Sequence, residues 1–280
     1  MKTMRIYPLS RAANPPAMIF VNGSGKPIDT LFPDTYGYFE SVAALVEREP
    51  AEAIPPSDRF LLASIGIEKG KPFRPDARTK QLLTEAVRVG SALARANTYA
   101  SRDPAALVYP DRRWEWAIVG GSATWDARGY INADHRAAWN YVATGSSPAM
   151  VNKTVGSGSQ YLMVTRDASG AFLDGGKNYR FHLPANAPVK AFWSVVVYDA
   201  LSRSELQNGT RFPSISTYTS TPSADGSVDI YFGPQAPKGH EKNWIKTVPG
   251  KGWFPYLRFY SPTEAFFDKT WKPDDIIEVK

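Results

Sequence analysis

The sequence predicts an α+β protein, with a helical N-terminal segment packed on a C-terminal antiparallel β-sandwich of jelly-roll-like form. Three observations carry that expectation. Apolar residues recur at helical spacing in the first half of the chain, they alternate in and out after Gly145, and the alternating runs are separated by turn-forming stretches such as "LDGGK" and "ADGS". On this reading residues 1–145 form an extended arm plus a helical region, and residues 146–280 form the sandwich.

The segment from Met4 to Val21 reads as extended, because Pro8, Pro15 and Pro16 are incompatible with a helix, and "VNGSGKPIDTLFPD" reads as a loop. Between Thr35 and Arg48, the residues Phe39, Val42, Ala43 and Val46 fall on one helical face, and Pro50 ends the pattern. Ser57 is suited to cap a short helix carrying Phe60, Leu61 and Ile65. After Pro75, Asp76 caps the clearest helix, whose apolar stripe comprises Leu82, Leu83, Ala86, Val87, Gly90, Leu93 and Ala94. A last helix spans Asp134 to Val142, with His135, Ala138, Trp139 and Val142 on one side.

Past Gly145, "SQYLMVTRD", "NYRFHL", "VKAFWSVVVYD" and "VDIYFG" read as strands. In the third, Val189, Ala191, Trp193, Val195 and Val197 share a face, and Lys190, Phe192, Ser194, Val196 and Tyr198 share the other. One apolar and one mixed face suit a central strand of a two-sheet sandwich. "PGKG" lacks the spacing and the following helix of a phosphate loop, so it reads as a turn into a strand. In that strand Trp253, Pro255, Leu257 and Phe259 alternate with Phe254, Tyr256, Arg258 and Tyr260, and Pro255 points to an edge position or a bulge.

Composition narrows the function. With 43% hydrophobic and 21% charged residues the chain can build a sizeable core. The net charge of +6 is spread among interleaved acids and bases without a like-charged run, which argues for a solvated surface and against a nucleic-acid partner. The absence of cysteine excludes disulfides, thiolate metal sites and a cysteine nucleophile. Prolines and polar residues break the N-terminal stretch, so the chain as written is expected to be soluble and cytoplasmic, with no membrane partner. His135, His182 and His240 are far apart and lack metal-ligand spacing, so neither metal nor cofactor is expected. Asp225 with Asp229, and Asp274 with Asp275, are candidate carboxylate pairs with a turn-forming alternative. "YDALSRSELQ" places Tyr198, Asp199 and Arg203 at the end of the central strand, where sandwiches present ligand contacts; an Asp199–Arg203 pair pinning a turn is the structural alternative.

The blocks "FWSVVVYDALSRSELQ", "ADGSVDIYFGPQAP", "NWIKTVPGKGWF" and "FFDKTWKPDDIIEV" resemble the bacterial domain of unknown function 1214. Upstream, "GIEKGKPFRPDARTKQLLTEA" and "YPDRRWEW" are similar to the segment joining it to the domain of unknown function 1254. The resemblance implies a jelly-roll-like C-terminal sandwich, a chain that lacks the N-terminal β domain usual in such proteins, and a periplasmic setting as an open alternative for full-length relatives. It supplies no reaction and no catalytic residues, although Tyr198, Asp199, Arg203, Trp253 and Arg258 match recurring positions. The expectation is therefore a protein of unknown function that binds a small polar or glycan-like ligand. Trp253 or Tyr256 would supply a ring face beside Tyr198, and Arg203 and Arg258 would hold anionic or hydroxyl groups, with Asp199 orienting Arg203. The alternatives are a hydrolase of esters or glycosides using Asp199 or His135 as general base, and a structural module that forms homo-oligomers.

Overall fold

The computed structural model describes residues 5–19, 25, 31–143 and 145–280. The chain divides into a small unit, Met1–Phe32, and a large one, Pro33–Lys280. Among the described residues of the small unit, a 3₁₀ turn, Leu9–Arg11, follows Pro8. Most of the loop expected over residues 21–34 lies outside the described residues.

The large unit begins with three helices, α1 (Gly37–Arg48), α2 (Pro56–Ser64) and α3 (Ala77–Tyr99). Asp76 caps α3 by accepting a 2.7 Å hydrogen bond from the Thr79 N–H, as its position predicts. Ser57 does not cap α2: Pro55 occupies that position and Pro56 starts the helix, where a missing N–H costs nothing. The buried stripe of α3 is narrower than the sequence suggests. Leu83, Val87 and Thr98 are buried, while Leu82 and Leu93 face outward, as do Phe60 and Leu61 of α2.

Three short strands, β1 (Glu115–Trp116) and the hairpin partners β2 (Asp126–Ala127) and β3 (Tyr130–Ile131), precede α4 (Ala133–Val142) and the single turn α5 (Pro148–Val151). The sandwich follows with β4 (Ser159–Met163), β5 (Asn178–Leu183), β6 (Val189–Asp199), β7 (Ser214–Ser216), β8 (Val228–Gly233), β9 (Trp244–Lys246) and β10 (Trp253–Pro262). The turn α6 (Glu264–Phe267) and β11 (Ile277–Val279) complete it. One sheet has the order β1-β4-β10-β6-β7 and the other β11-β5-β8-β9. All pairings in the two sheets are antiparallel except β8 with β9, which is parallel.

Between the sheets lies one apolar core. Leu162, Trp193, Val195, Val197, Trp253, Leu257 and Phe259 of the first sheet meet Tyr179, Phe181, Leu183, Val228, Ile230, Phe232 and Ile245 of the second. The α+β architecture is thus a helical segment on a two-sheet β-sandwich. Pro255, expected at an edge or bulge, sits instead within the middle strand, opposite Val197. Val197 directs its N–H to the Pro213 carbonyl, away from β10, and the pairing with β4 stops at Tyr256, so no ladder bond is lost. "PGKG" forms the expected turn: Lys251 N–H donates to the Val248 carbonyl and Gly250 takes a φ of 80°, which only glycine adopts freely.

Candidate functional site

Strand β10 turns Phe254, Tyr256, Arg258 and Tyr260 to the outer face of the five-stranded sheet. Helices cover one end of that face, where Tyr99 and Val142 pack against Phe254, Tyr256 and Met163. The Tyr99 hydroxyl donates to the Ala200 carbonyl at 2.8 Å, tying α3 to the loop after β6. Burial pushes the Tyr99 and Tyr256 hydroxyls far above the usual phenol range, so both stay protonated.

Further along the face is Arg258, half-buried in a ring of phenols. Its guanidinium carbon lies 5.5, 5.8 and 5.9 Å from the ring centroids of Tyr161, Tyr198 and Tyr256, and Nη2 donates to the Tyr198 hydroxyl. Among the described residues no carboxylate forms an ion pair with it. Burial opposes its charge, but Tyr198, Tyr260 and Tyr161 outweigh that cost and hold the guanidinium protonated. Beside it Tyr260 stacks on Phe192 at 4.1 Å, and Tyr218, 74% exposed, lies 5.4 Å from Phe192. The result is a strip of rings with a cation in it.

The structure brings Tyr198, Tyr256 and Arg258 together and separates the other sequence candidates from them. Trp253 points to the opposite face and lies in the core, 2% exposed, against Tyr179 and Phe232; it offers no ring to a ligand. Arg203 lies at the seam between helices and sheet, its guanidinium carbon 4.5 Å from the Tyr141 ring centroid. The carboxylate of Asp199 does not reach out to orient it. Oδ1 accepts from the Leu201 and Ser202 N–H groups, and Oδ2 accepts from Lys251 Nζ at 2.7 Å. Burial raises the Asp199 pKa, but these donors, Lys251 foremost, bring it below the ordinary carboxylate value. His135 is also internally engaged. Asn132 Oδ1 accepts from the His135 N–H, which fixes the amide so that Nδ2 donates to His135 Nδ1; Nε2 then faces Asp103 Oδ2 at 3.2 Å.

Two constellations escape the sequence reading. One is a cleft of about 330 Å³ between the 100–107 segment and β1, lined by Arg102, Asp103, Arg113, Glu115 and Arg166 among others. Glu115 also borders a small neighbouring cavity with His135. Burial pushes the Glu115 carboxyl up to about 7, against a weaker pull from Arg166. The other is a depression of about 220 Å³ on the second sheet, lined by Arg112, Arg180, His182, Asp274 and Asp275. There His182 Nδ1 lies 2.8 Å from Asp229 Oδ1, directly across the β5–β8 pair. Sequence could flag His182 and Asp229 individually; only strand register makes them neighbours. Among the described residues no group of three or more histidine or carboxylate side chains is placed to hold a metal ion. Nor is any described helix long and apolar enough to cross a membrane.

The phenol-ringed arginine lies in the part of the chain that known families recognise. Residues 158–264 match the family described as "Protein of unknown function (DUF1214)". This DUF1214 region runs from β4 to the start of α6, so it holds Tyr198, Asp199, Arg203, Trp253, Tyr256 and Arg258 and excludes Glu115 and His135. Among solved structures, the chain is similar to the VPA0106 protein from Vibrio parahaemolyticus, at 21% identity and a TM-score of 0.43, over 95% of this chain and 60% of that one. It is also similar to an uncharacterised protein from Burkholderia cenocepacia, at 14% identity and a TM-score of 0.32, over 87% of this chain and 50% of that one. The chain thus spans 60% or less of the length of either structure. No curated protein matches it. The function of the DUF1214 region is unknown, and nothing in these similarities names a ligand or a reaction.

Proposed function

We propose that the protein binds a glycan-like or other small polar ligand on the outer face of the five-stranded sheet. One observation carries this reading: Arg258 is held half-buried among tyrosines, with no carboxylate partner among the described residues, beside the Phe192–Tyr260 ring stack. A sugar ring presents an apolar face to aromatic rings and hydroxyls or a carboxylate to a guanidinium. Tyr260, Phe192 and Tyr218 would supply the platform, and Arg258 with Tyr198 the polar contacts. Trp253 has no part in it, and Arg203 belongs to the helix–sheet seam. The test is calorimetry against a panel of neutral and uronic-acid oligosaccharides. Binding that Arg258→Ala and Tyr260→Ala each weaken at least tenfold supports the reading, and a panel with no binder up to millimolar concentration refutes it.

A second reading, self-association, is favoured by one feature of α3. Leu82, Val89 and Leu93 are all exposed, and their spacing of seven and four residues puts them on one helical stripe. Light scattering checks it: a dimer that Leu82→Glu with Leu93→Glu converts to monomer is the expected result. We further infer, on the sequence resemblance alone, that the helices upstream of the DUF1214 region correspond to the end of a domain of unknown function 1254.

A further inference from the structure

The cleft beside β1 combines features that the sheet-face site does not use. Three guanidinium groups, those of Arg102, Arg113 and Arg166, share it with two carboxyl groups, and Ala100, Pro104 and Leu107 give it an apolar side. Asp103 is committed: Oδ1 accepts from the Ala105 N–H at 2.9 Å and Oδ2 faces His135 Nε2. Glu115 is different. It is half-buried on β1, among the described residues its carboxyl forms no hydrogen bond or ion pair with any side chain, and it borders both cavities. A buried carboxyl without a partner favours its neutral, hydrogen-bond-donating form.

We propose that this cleft binds a small monocarboxylate with an apolar tail, which sets its anionic group against Arg102, Arg113 and Arg166, accepts a hydrogen bond from protonated Glu115 and lays its tail on Ala100, Pro104 and Leu107. Phosphate suits it less, because a dianion would also meet the Asp103 carboxylate. Loss of the Glu115 proton converts a donor into a second negative charge facing the ligand, so binding and protonation are linked. The linkage falls in the physiological range because burial pushes the Glu115 carboxyl up to about 7. The charged groups around Glu115 are Arg102 and Asp103 from the segment after α3, Arg113 from the approach to β1, Arg166 from the end of β4, and His135 from α4.

The experiment is calorimetric titration of the intact protein with butyrate and with benzoate between pH 6 and 8. The expected result is binding that is about tenfold weaker at pH 8 than at pH 6, the change a single carboxyl near 7 imposes. Glu115→Gln, whose amide still donates, keeps the affinity and flattens the pH profile. Arg113→Ala and Arg166→Ala weaken binding at every pH. No binding at pH 6, equal binding of phosphate, or a wild-type affinity independent of pH overturns the proposal. A pH profile that survives in Glu115→Gln also overturns it, by moving the linkage to the His135–Asp103 pair. Circular dichroism of each variant separates loss of binding from loss of fold.

Discussion

Replacing Glu115 by glutamine keeps the shape of the side chain and removes its ionisable proton, so it isolates the energy of ionising this buried carboxyl. In the folded protein burial lifts the pKa from its ordinary 4.5 to about 7. The native state therefore holds the proton more tightly than the unfolded chain, and stability falls as the pH rises between those two values. The full difference corresponds to about 3 kcal/mol at any pH above the folded value. Below about pH 4.5 both states are protonated and the wild type and Glu115→Gln should be equally stable. The gap should open through pH 5 to 7 and level off with the variant more stable by about 3 kcal/mol. Urea denaturation followed by tryptophan fluorescence at half-unit pH intervals measures it directly. Parallel stability profiles for the two proteins would refute the reasoning, because they would mean that the carboxyl keeps water when the protein folds.

Other substitutions test the sandwich and its turns. In Gly175→Ala the new Cβ would lie 2.1 Å from the Val248 carbonyl oxygen and 2.8 Å from that of Lys251, so backbone must move; a loss of at least ~3 kcal/mol in urea denaturation is expected. Gly176→Ala, whose nearest neighbour is the Asp174 carboxylate at 3.4 Å, should cost under ~1 kcal/mol in the same assay. Asp199→Ala strands the Leu201 and Ser202 N–H groups and the Lys251 ammonium, and should cost roughly 2–3 kcal/mol near neutral pH. Because the Asp199 pKa is depressed in the fold, its contribution is present above the ordinary carboxylate value and disappears as the pH falls below it. The thermal midpoints of Asp199→Ala and wild type should therefore converge in strong acid. Trp253→Phe removes a buried indole N–H that has no hydrogen-bond partner among the described residues, which offsets part of the lost volume. It should lower stability by less than ~2 kcal/mol and leave oligosaccharide affinity unchanged, since the ring faces the core.

The sandwich was legible in the sequence because alternation reports burial directly. The two faces assigned to residues 253–260 are those observed, with Trp253, Leu257 and Phe259 inward and Phe254, Tyr256 and Arg258 outward. The helices were legible as helices but not in what they bury. Leu82 and Leu93 look like core residues in a periodic pattern, yet α3 packs on α4 and, through Tyr99, on the sheet face, and its other apolar flank stays outside. Within the ligand proposal, sequence singles out Tyr198 and Arg258 separately, and the pairing of β6 with β10 puts them on one face. The cleft could not: Arg102, Glu115 and Arg166 come from three unrelated segments, and the environment that perturbs Glu115 exists only after β1 joins β4. Asp199 and Arg203 do meet, but through the backbone, where the Arg203 N–H donates to the Asp199 carbonyl at 2.8 Å; the carboxylate's ionic partner is Lys251, about fifty residues on.

Strand β10 lies between β4 and β6 in the five-stranded sheet although it is made long after both. Until residue 262 has emerged from the ribosome, β4 and β6 have no common neighbour, and each shows an open hydrogen-bonding edge and an uncovered apolar face. The sheet must therefore assemble late, by insertion of its middle member between strands that await it. A premature stop anywhere before Trp253 would release not a smaller sandwich but a chain with two unsatisfied edges, a substrate for proteolysis and aggregation.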